Sequence, residues 1–258
     1  MKDKSRLLTI GEVAKSLGIT RRIILNYEDK GLLYPDKKDG TAGNRYYTID
    51  SVSRIRSIRT LQNLGLSLDD IYGYYNETTE LEPLIAKLEK LRDELNLNIE
   101  KLKERLKTDN DFEIRHISLP AQTVYCKSMN ADSVEEKKEH LRDLLAVTLR
   151  KYSSDSTKRM FFIEYSLDAP EFVSYYISVS SNTHDDNLIH LPEEDALSLY
   201  YHGNYEDIPM IREKLIDYAK ENNIPLKGTC RHIYLEGPAQ HKDPSKYITQ
   251  IALPLKKD

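Results

Sequence analysis

From Leu81 to Lys107 apolar residues recur at steps of four and three, in a stretch that after Pro83 holds neither Pro nor Gly. Leu84, Leu88, Leu91, Leu95, Asn98 and Leu102 mark the spacing, and charges of both signs fill the remaining positions. Alternating four-three steps are the signature of a coiled-coil seam, so the stretch predicts one long helix whose narrow apolar stripe needs a partner. At 1.5 Å per residue it is a rod of roughly 36 Å, too long for one helix of a compact bundle. A second copy of the chain is the expected partner: a homodimer through the helix from Leu84 to Leu106, with Asn98 on the seam fixing its register.

Before this helix the pattern breaks into short amphipathic pieces. Thr9-Ile10-Gly11-Glu12 reads as a capping box, followed by an apolar face of Ile10, Val13, Ala14 and Leu17 that Gly18 ends. Thr20 is placed to cap a second helix running to about Lys30, which makes a helix-turn-helix. Arg21 and Arg22 fall in its first turn, where they oppose the helix dipole and can reach base edges or phosphates. Leu32-Leu33-Tyr34, a polar turn over 36–43 and Asn44-Arg45-Tyr46-Tyr47 predict a two-stranded wing. A helix from Ser51 to Asn63 and a short one capped by Ser67 complete this part.

After the helix the texture is strand-rich. Gln122 to Met129 reads as a strand, Ser133 to Tyr152 as a helix, and Met160 to Leu167 and Phe172 to Ser181 as strands. The order then repeats: strand from Ala196, helix from Asp207, strands from Cys230 and from Tyr247. A duplicated strand-helix-strand-strand unit leaves one face of each half uncovered, and the groove where the halves meet suits a small molecule. Alternation sets His232, Tyr234, Gln250, Tyr176, Ser174 and Ser178 toward that groove, with Phe162, Glu164, Tyr125 and Lys127 by the same logic. The 18 tyrosines, against 4 phenylalanines and no tryptophan, concentrate here and favour flat or hydroxylated ligands. The candidate ligand-binding set is Tyr125, Tyr152, Phe162, Glu164, Tyr176, Tyr201, His232, Tyr234 and Gln250.

The fold class is thus α+β, divided as 1–75, 76–108 and 109–258. Charge follows the division. The total is −4, yet residues 1–75 carry 13 Lys+Arg against 9 Asp+Glu while 108–258 carry 18 against 25. Only the head is suited to a polyanion. Two distant cysteines and no C-x-x-C argue for a reducing, cytoplasmic setting and against a disulfide, zinc or iron–sulfur framework. No metal or cofactor is expected, and no apolar run reaches membrane-span length.

The runs Thr9-Ile10-Gly11-Glu12-Val13-Ala14, Asn26-Tyr27-Glu28-Asp29-Lys30-Gly31-Leu32-Leu33, Arg45-Tyr46-Tyr47 and Leu64-Gly65-Leu66-Ser67-Leu68-Asp69-Asp70-Ile71 resemble the MerR family of transcription regulators. The resemblance covers residues 7–107. It implies winged helix-turn-helix dimers that sit on double-stranded promoter DNA with an over-long spacer and distort it so that RNA polymerase can use it. Thr9, Arg21, Arg22, Tyr27, Arg45, Tyr46 and Arg59 are the residues expected at the DNA. This chain departs from the family in having Leu25-Asn26-Tyr27 where members carry an Arg-Tyr-Tyr-like run.

Tyr201-His202-Gly203-Asn204-Tyr205, Arg231-His232-Ile233-Tyr234-Leu235-Glu236-Gly237-Pro238 and Thr249-Gln250-Ile251-Ala252-Leu253-Pro254-Leu255 resemble the GyrI-like effector-binding domain, over about 112–256. That resemblance implies binding of bulky, often cationic aromatic compounds countered by a buried acid. His232 and Gln250 stand where relatives often carry glutamate. The reading is a ligand-responsive, non-enzymatic regulator. Its alternative is a GyrI-like hydrolase or drug-sequestering protein tethered to DNA, with Glu164, His232 and Tyr234 as candidate bases.

Overall fold

The structure, a computed structural model, describes residues 7–40, 43–107, 112–180 and 185–256. It divides into two compact units, Met1–Arg92 and Asp93–Asp258.

The first unit contains β1 (Leu8–Thr9), α1 (Ile10–Ser16), α2 (Arg21–Asp29), β2 (Lys37–Lys38), β3 (Arg45–Tyr47), α3 (Ile49–Asn63), α4 (Leu68–Tyr75) and the start of α5 (Leu81–Arg105). The α1 capping box forms as its sequence demands: Thr9 Oγ1 accepts from the Glu12 amide, and the Glu12 carboxylate accepts from the Thr9 amide at 2.8 Å. Ser67 and Asp70 repeat the device at α4. Thr20 occupies the N-cap of α2 without a side-chain bond, so the start of α2 keeps its amides uncapped by the expected hydroxyl. The wing is also built differently from expectation. Leu32 and Leu33 are buried core residues, and the strand opposite β3 is Lys37–Lys38, paired Lys37 to Tyr46 and Lys38 to Arg45. β1 adds to the other edge of β3. Residues 41–42 of the expected turn lie outside the described set.

A single core made from Val13, Ile24, Tyr27, Leu33, Tyr47, Ile55, Ile58 and Ile71 holds this unit, and Leu84 of α5 belongs to it with Leu88 at its margin. Two residues expected on the dimer seam are therefore consumed by the head. The exposed apolar residues of α5 and its exit are Leu81, Ile85, Leu95, Ile99, Leu102 and Leu106. Asn98 is exposed, and its amide donates to the Glu94 carbonyl at 2.9 Å.

The second unit is an eight-stranded antiparallel sheet with order β4-β9-β11-β10-β6-β7-β5-β8. Its elements are β4 (Arg115–Leu119), β5 (Gln122–Asn130), α6 (Val134–Lys151), β6 (Phe161–Ser166), β7 (Ala169–Ser178), β8 (Leu188–Leu191), β9 (Glu194–His202), α7 (Ile208–Glu221), β10 (Thr229–Glu236) and β11 (Ile248–Pro254). The two expected repeats, β5-α6-β6-β7 and β9-α7-β10-β11, join edge to edge through β6 and β10. β4 and β8, short and partly polar, were not expected. Each precedes one repeat in sequence but pairs on the outer edge of the other. Ser181, the end of the strand expected from Phe172, lies outside the described residues.

Both helices cover one sheet face. Leu144 of α6 and Ile211, Leu215 and Ala219 of α7 pack on Ile163, Tyr165, Tyr175, Leu199, Ile251 and Leu253. His232 sits in this layer, its Nε2 2.9 Å from the Tyr165 hydroxyl and its ring edge-on to that of Tyr165. Burial, then the charges of Lys137 and Arg212, hold its pKa down at about 3.

Two outcomes follow from these packing environments. Tyr27 is 2% exposed and its hydroxyl donates to Gln62 Oε1 at 2.5 Å, so Tyr27→Phe should cost about 1 kcal/mol of stability in urea unfolding and leave DNA affinity unchanged. A loss of affinity without loss of stability would put that hydroxyl on DNA. For His232 the folded pKa lies below the unfolded value, so the unfolded chain takes up a proton that the native state excludes. The stability contributed by the neutral ring is complete above about pH 6.5 and is lost as pH falls toward 3, by up to about 1.4 kcal/mol per pH unit. His232→Gln should remove that component of the pH slope; parallel slopes for the two proteins would show the ring to be solvated.

Candidate functional site

In the head, the seven residues expected at DNA have different fates. Arg21 and Arg22 are exposed in the first turn of α2 and, among the described residues, make no ion pair. Two cations beside a positive helix end gain nothing from the helix dipole. Thr9 is occupied as a cap and Tyr27 is in the core. Arg59 donates to the Leu17 carbonyl at 2.8 Å and so closes the end of α1. Arg45 is tied by its Nε to Glu28 at 2.8 Å, and Glu28 also accepts from the Tyr47 hydroxyl. Tyr46 lies half-buried beneath the Lys37 ammonium, 5.5 Å from its ring centre. The wing adds Lys38, exposed and unpaired among the described residues, which sequence reasoning missed by placing the strand four residues early.

In the second unit, strand register decides which side chains share a face. On the face opposite α6 and α7, one cross-strand row runs Tyr200, Gln250, Ile233, Phe162 and Tyr176. The next runs Arg115, Ser198, Ala252, Arg231 and Glu164. This face is covered by the second half of α5. A cavity of about 280 Å³ lies between them, lined among others by Leu97, Glu100, Arg159, Gln122, Phe162, Tyr200, Arg231 and Gln250. The cavity therefore lies where strands of both repeats meet, and the second half of α5 closes it.

Phe162 and Gln250 line this cavity. Glu164 and Tyr176 lie on the same face but behind it: Glu164 bonds Arg231 and Tyr176 stacks on Phe162 at 4.8 Å. The other five expected ligand residues are on the helix-covered side. His232 and Tyr234 alternate with Arg231 and Ile233, and on β10 it is the odd-numbered residues, apolar Ile233 included, that face the cavity. The expected parity failed there because Ile233 and Leu235 belong to a second apolar cluster, on the α5 side. Tyr201 packs in the α7 layer with its hydroxyl on Asp207 at 2.7 Å. Tyr125 and Tyr152 face each other at 6.1 Å, Tyr125 against the α6 side. Lys127 shares the parity of Tyr125.

Charges dominate what sequence reasoning missed. Arg231, 6% exposed, is clamped by Glu164 at 2.7 Å and approached by Glu194 at 3.5 Å, and its guanidinium lies 4.6 Å from the Phe162 ring centre. Glu100, from α5, accepts from Arg159 at 2.7 Å and from the Tyr200 hydroxyl. Burial and the Glu100 charge push the Tyr200 phenol well above its ordinary range, so it remains a donor. Arg115 reaches the buried Glu104 at 3.4 Å. Glu100 carried no signal in the sequence, being one charge among many on a helix.

The family model for the MerR HTH family regulatory proteins matches residues 8–78, and that for the GyrI-like small molecule binding domain matches residues 112–256, more than half of the chain. Nodulation protein NolA of Bradyrhizobium elkanii is 34% identical over 160 residues, covering 55% of this chain and 71% of that one. The HTH-type transcriptional regulator YfmP of Bacillus subtilis (strain 168) is 30% identical over 123 residues, covering 42% and 86%. A cryo-EM structure of an EcmrR-DNA complex in EcmrR-RPo shares the fold, with a TM-score of 0.51 at 16% identity over 97% of this chain and 100% of that one. With a helix-turn-helix head, a long helix and a two-repeat sheet enclosing a cavity, the chain belongs to the MerR family of DNA-binding transcription regulators and carries a GyrI-like effector-binding domain.

Proposed function

We propose that two copies join through α5 and that their heads hold double-stranded promoter DNA in a distorted form that RNA polymerase can use. A small aromatic effector in the cavity beneath α5 would set that distortion. Residues 1–75 then serve DNA, 76–108 serve dimerisation, and 109–258 with the second half of α5 serve the effector. The observation that carries the DNA reading is the pair Arg21 and Arg22, exposed and unpaired at the start of α2. The EcmrR-DNA complex supports the same placement by likeness of fold. Among the described residues no helix is long and apolar enough to cross a membrane, and a regulator of promoter DNA works in the cytoplasm.

Sensing is favoured over hydrolysis by how the candidate bases are distributed. Glu164 is locked to Arg231 on the α5 side, whereas His232 and Tyr234 lie on the other face. The sheet thus separates Glu164 from the other two candidate bases, whereas general acid–base chemistry needs its groups together. The cavity also offers little of the aromatic surface that a cationic dye would use. One face of Phe162 is stacked by Tyr176 and Arg231 lies against the ring as well.

For DNA, Lys38→Gln should weaken binding to all sequences alike and make the salt dependence shallower by about one charge per subunit. Arg22→Ala should instead relax sequence preference, since a side chain in the first turn of the reading helix reaches base edges. The reverse pattern in binding assays across operator variants would exchange their roles. For assembly, the exposed residues Leu95, Ile99 and Leu102 are proposed to meet their counterparts in antiparallel helices. Leu95→Lys with Ile99→Lys should give monomers in sedimentation, and Leu84→Ala should lower stability of the head without dissociating the dimer. An unchanged dimer in the double variant would move the interface off this face.

A further inference from the structure

Four cations line the cavity, Arg115, Lys158, Arg159 and Arg231, against one carboxylate, Glu100. Their partners separate them. Arg231 is met from behind by Glu164 and Glu194, and Arg115 by Glu104 and Glu113. Arg159 has only Glu100, and Lys158 makes no ion pair among the described residues. Glu100 is thus the one acid in the lining itself, and it comes from a helix laid over the sheet rather than from the sheet.

Neutral donors surround the same spot. Ser198 is 1% exposed and its hydroxyl has no hydrogen-bond partner among the described residues. Gln122 lies 2.7 Å from the Ser178 hydroxyl, which also donates to the Arg159 carbonyl at 2.7 Å. The Tyr200 hydroxyl donates to Glu100. Buried donors that converge on a cavity lined by cations call for an acceptor, and a carboxylate meets both requirements with charge-assisted bonds. Leu97, Ile117, Leu119 and Ile233 supply apolar walls. A cavity near 280 Å³ is at the lower edge of small-molecule sites, so one ring is the matching size.

Taking the effector reading above as its basis, we propose that the cavity binds a single-ring aromatic carboxylate, whose carboxylate replaces that of Glu100 on Arg159 and Tyr200. Glu100 is the protein's own occupant of the anion position. Its exchange frees a turn of α5 from the sheet, and the same continuous helix begins in the head core at Leu84. Binding is consequently linked to the helix that bears the dimer seam, because a ligand shifts an equilibrium only through contacts that differ between its states.

The test is a calorimetric titration of the full chain with three planar probes of one size and different charge: benzoate, benzamide and benzamidine. The expected order is benzoate tightest and benzamidine weakest. Glu100→Gln removes the tethered competitor, which acts at an effective concentration on the order of millimolar, and should tighten benzoate about tenfold while leaving benzamide nearly unchanged. Adding Arg159→Gln to that variant should abolish the gain. Benzamidine binding tightest, benzoate affinity indifferent to Glu100→Gln, or no binding of any probe to either protein would each overturn the carboxylate assignment. Binding of a larger cationic dye, rhodamine 6G, in that last case would leave the effector reading standing, and its failure alongside intact DNA binding would remove that reading as well.

Discussion

Arg231 and Glu164 are direct cross-strand partners at the β10–β6 junction, where the two repeats meet, and the rest of the second unit depends on that pairing. Side chains alternate along a strand, so a slip of one residue would send the guanidinium into the helix-covered apolar layer with no acid to meet it. The pair therefore specifies the register through which two four-element repeats become one sheet. It also decides the polarity of the two faces. The helix-covered side takes Tyr165, His232 and Leu253, and the other takes a charged row that α5 must satisfy as well as cover.

Much of this was legible in the sequence because local patterns and tertiary needs agree. Capping boxes at Thr9 and Ser67, the Leu-rich helix and the repeated strand-helix-strand-strand order all form where they were expected. The failures have one physical cause: periodicity identifies alternating faces but not which face a helix covers. His232 and Tyr234 were set toward the groove, yet apolar Ile233 between them faces α5; both sheet faces are buried, so an apolar residue does not reveal its side. Seam residue Leu84 was misplaced in a similar way. The apolar stripe of α5 serves the head at one end and an exposed face elsewhere, and a heptad count cannot separate the two uses.

The head shows how few of its cations are at liberty. Arg45, Arg54 and Arg59 hold the fold, bonding Glu28 or the backbone carbonyls of Leu32 and Leu17. A net positive charge counted from sequence overstates what can meet a phosphate. The useful quantity is the subset that folding leaves unpaired, which among the described residues includes Arg21 and Arg22 at the start of α2 and Lys38 of β2, with Lys15 and Arg56 elsewhere.

The exchange of edge strands has a bearing on how the chain emerges during synthesis. β4 is made first but has no mate until β9, some eighty residues later, exists. β5 keeps one edge open until β8 arrives. Neither repeat can close on its own, so a nascent chain carries unpaired strand edges through most of the second unit's production, the condition in which strands find foreign partners. The brevity of β4 and β8 and the charged or imidazole side chains they carry, Arg115, His116 and His190, limit what such an edge can recruit while it waits.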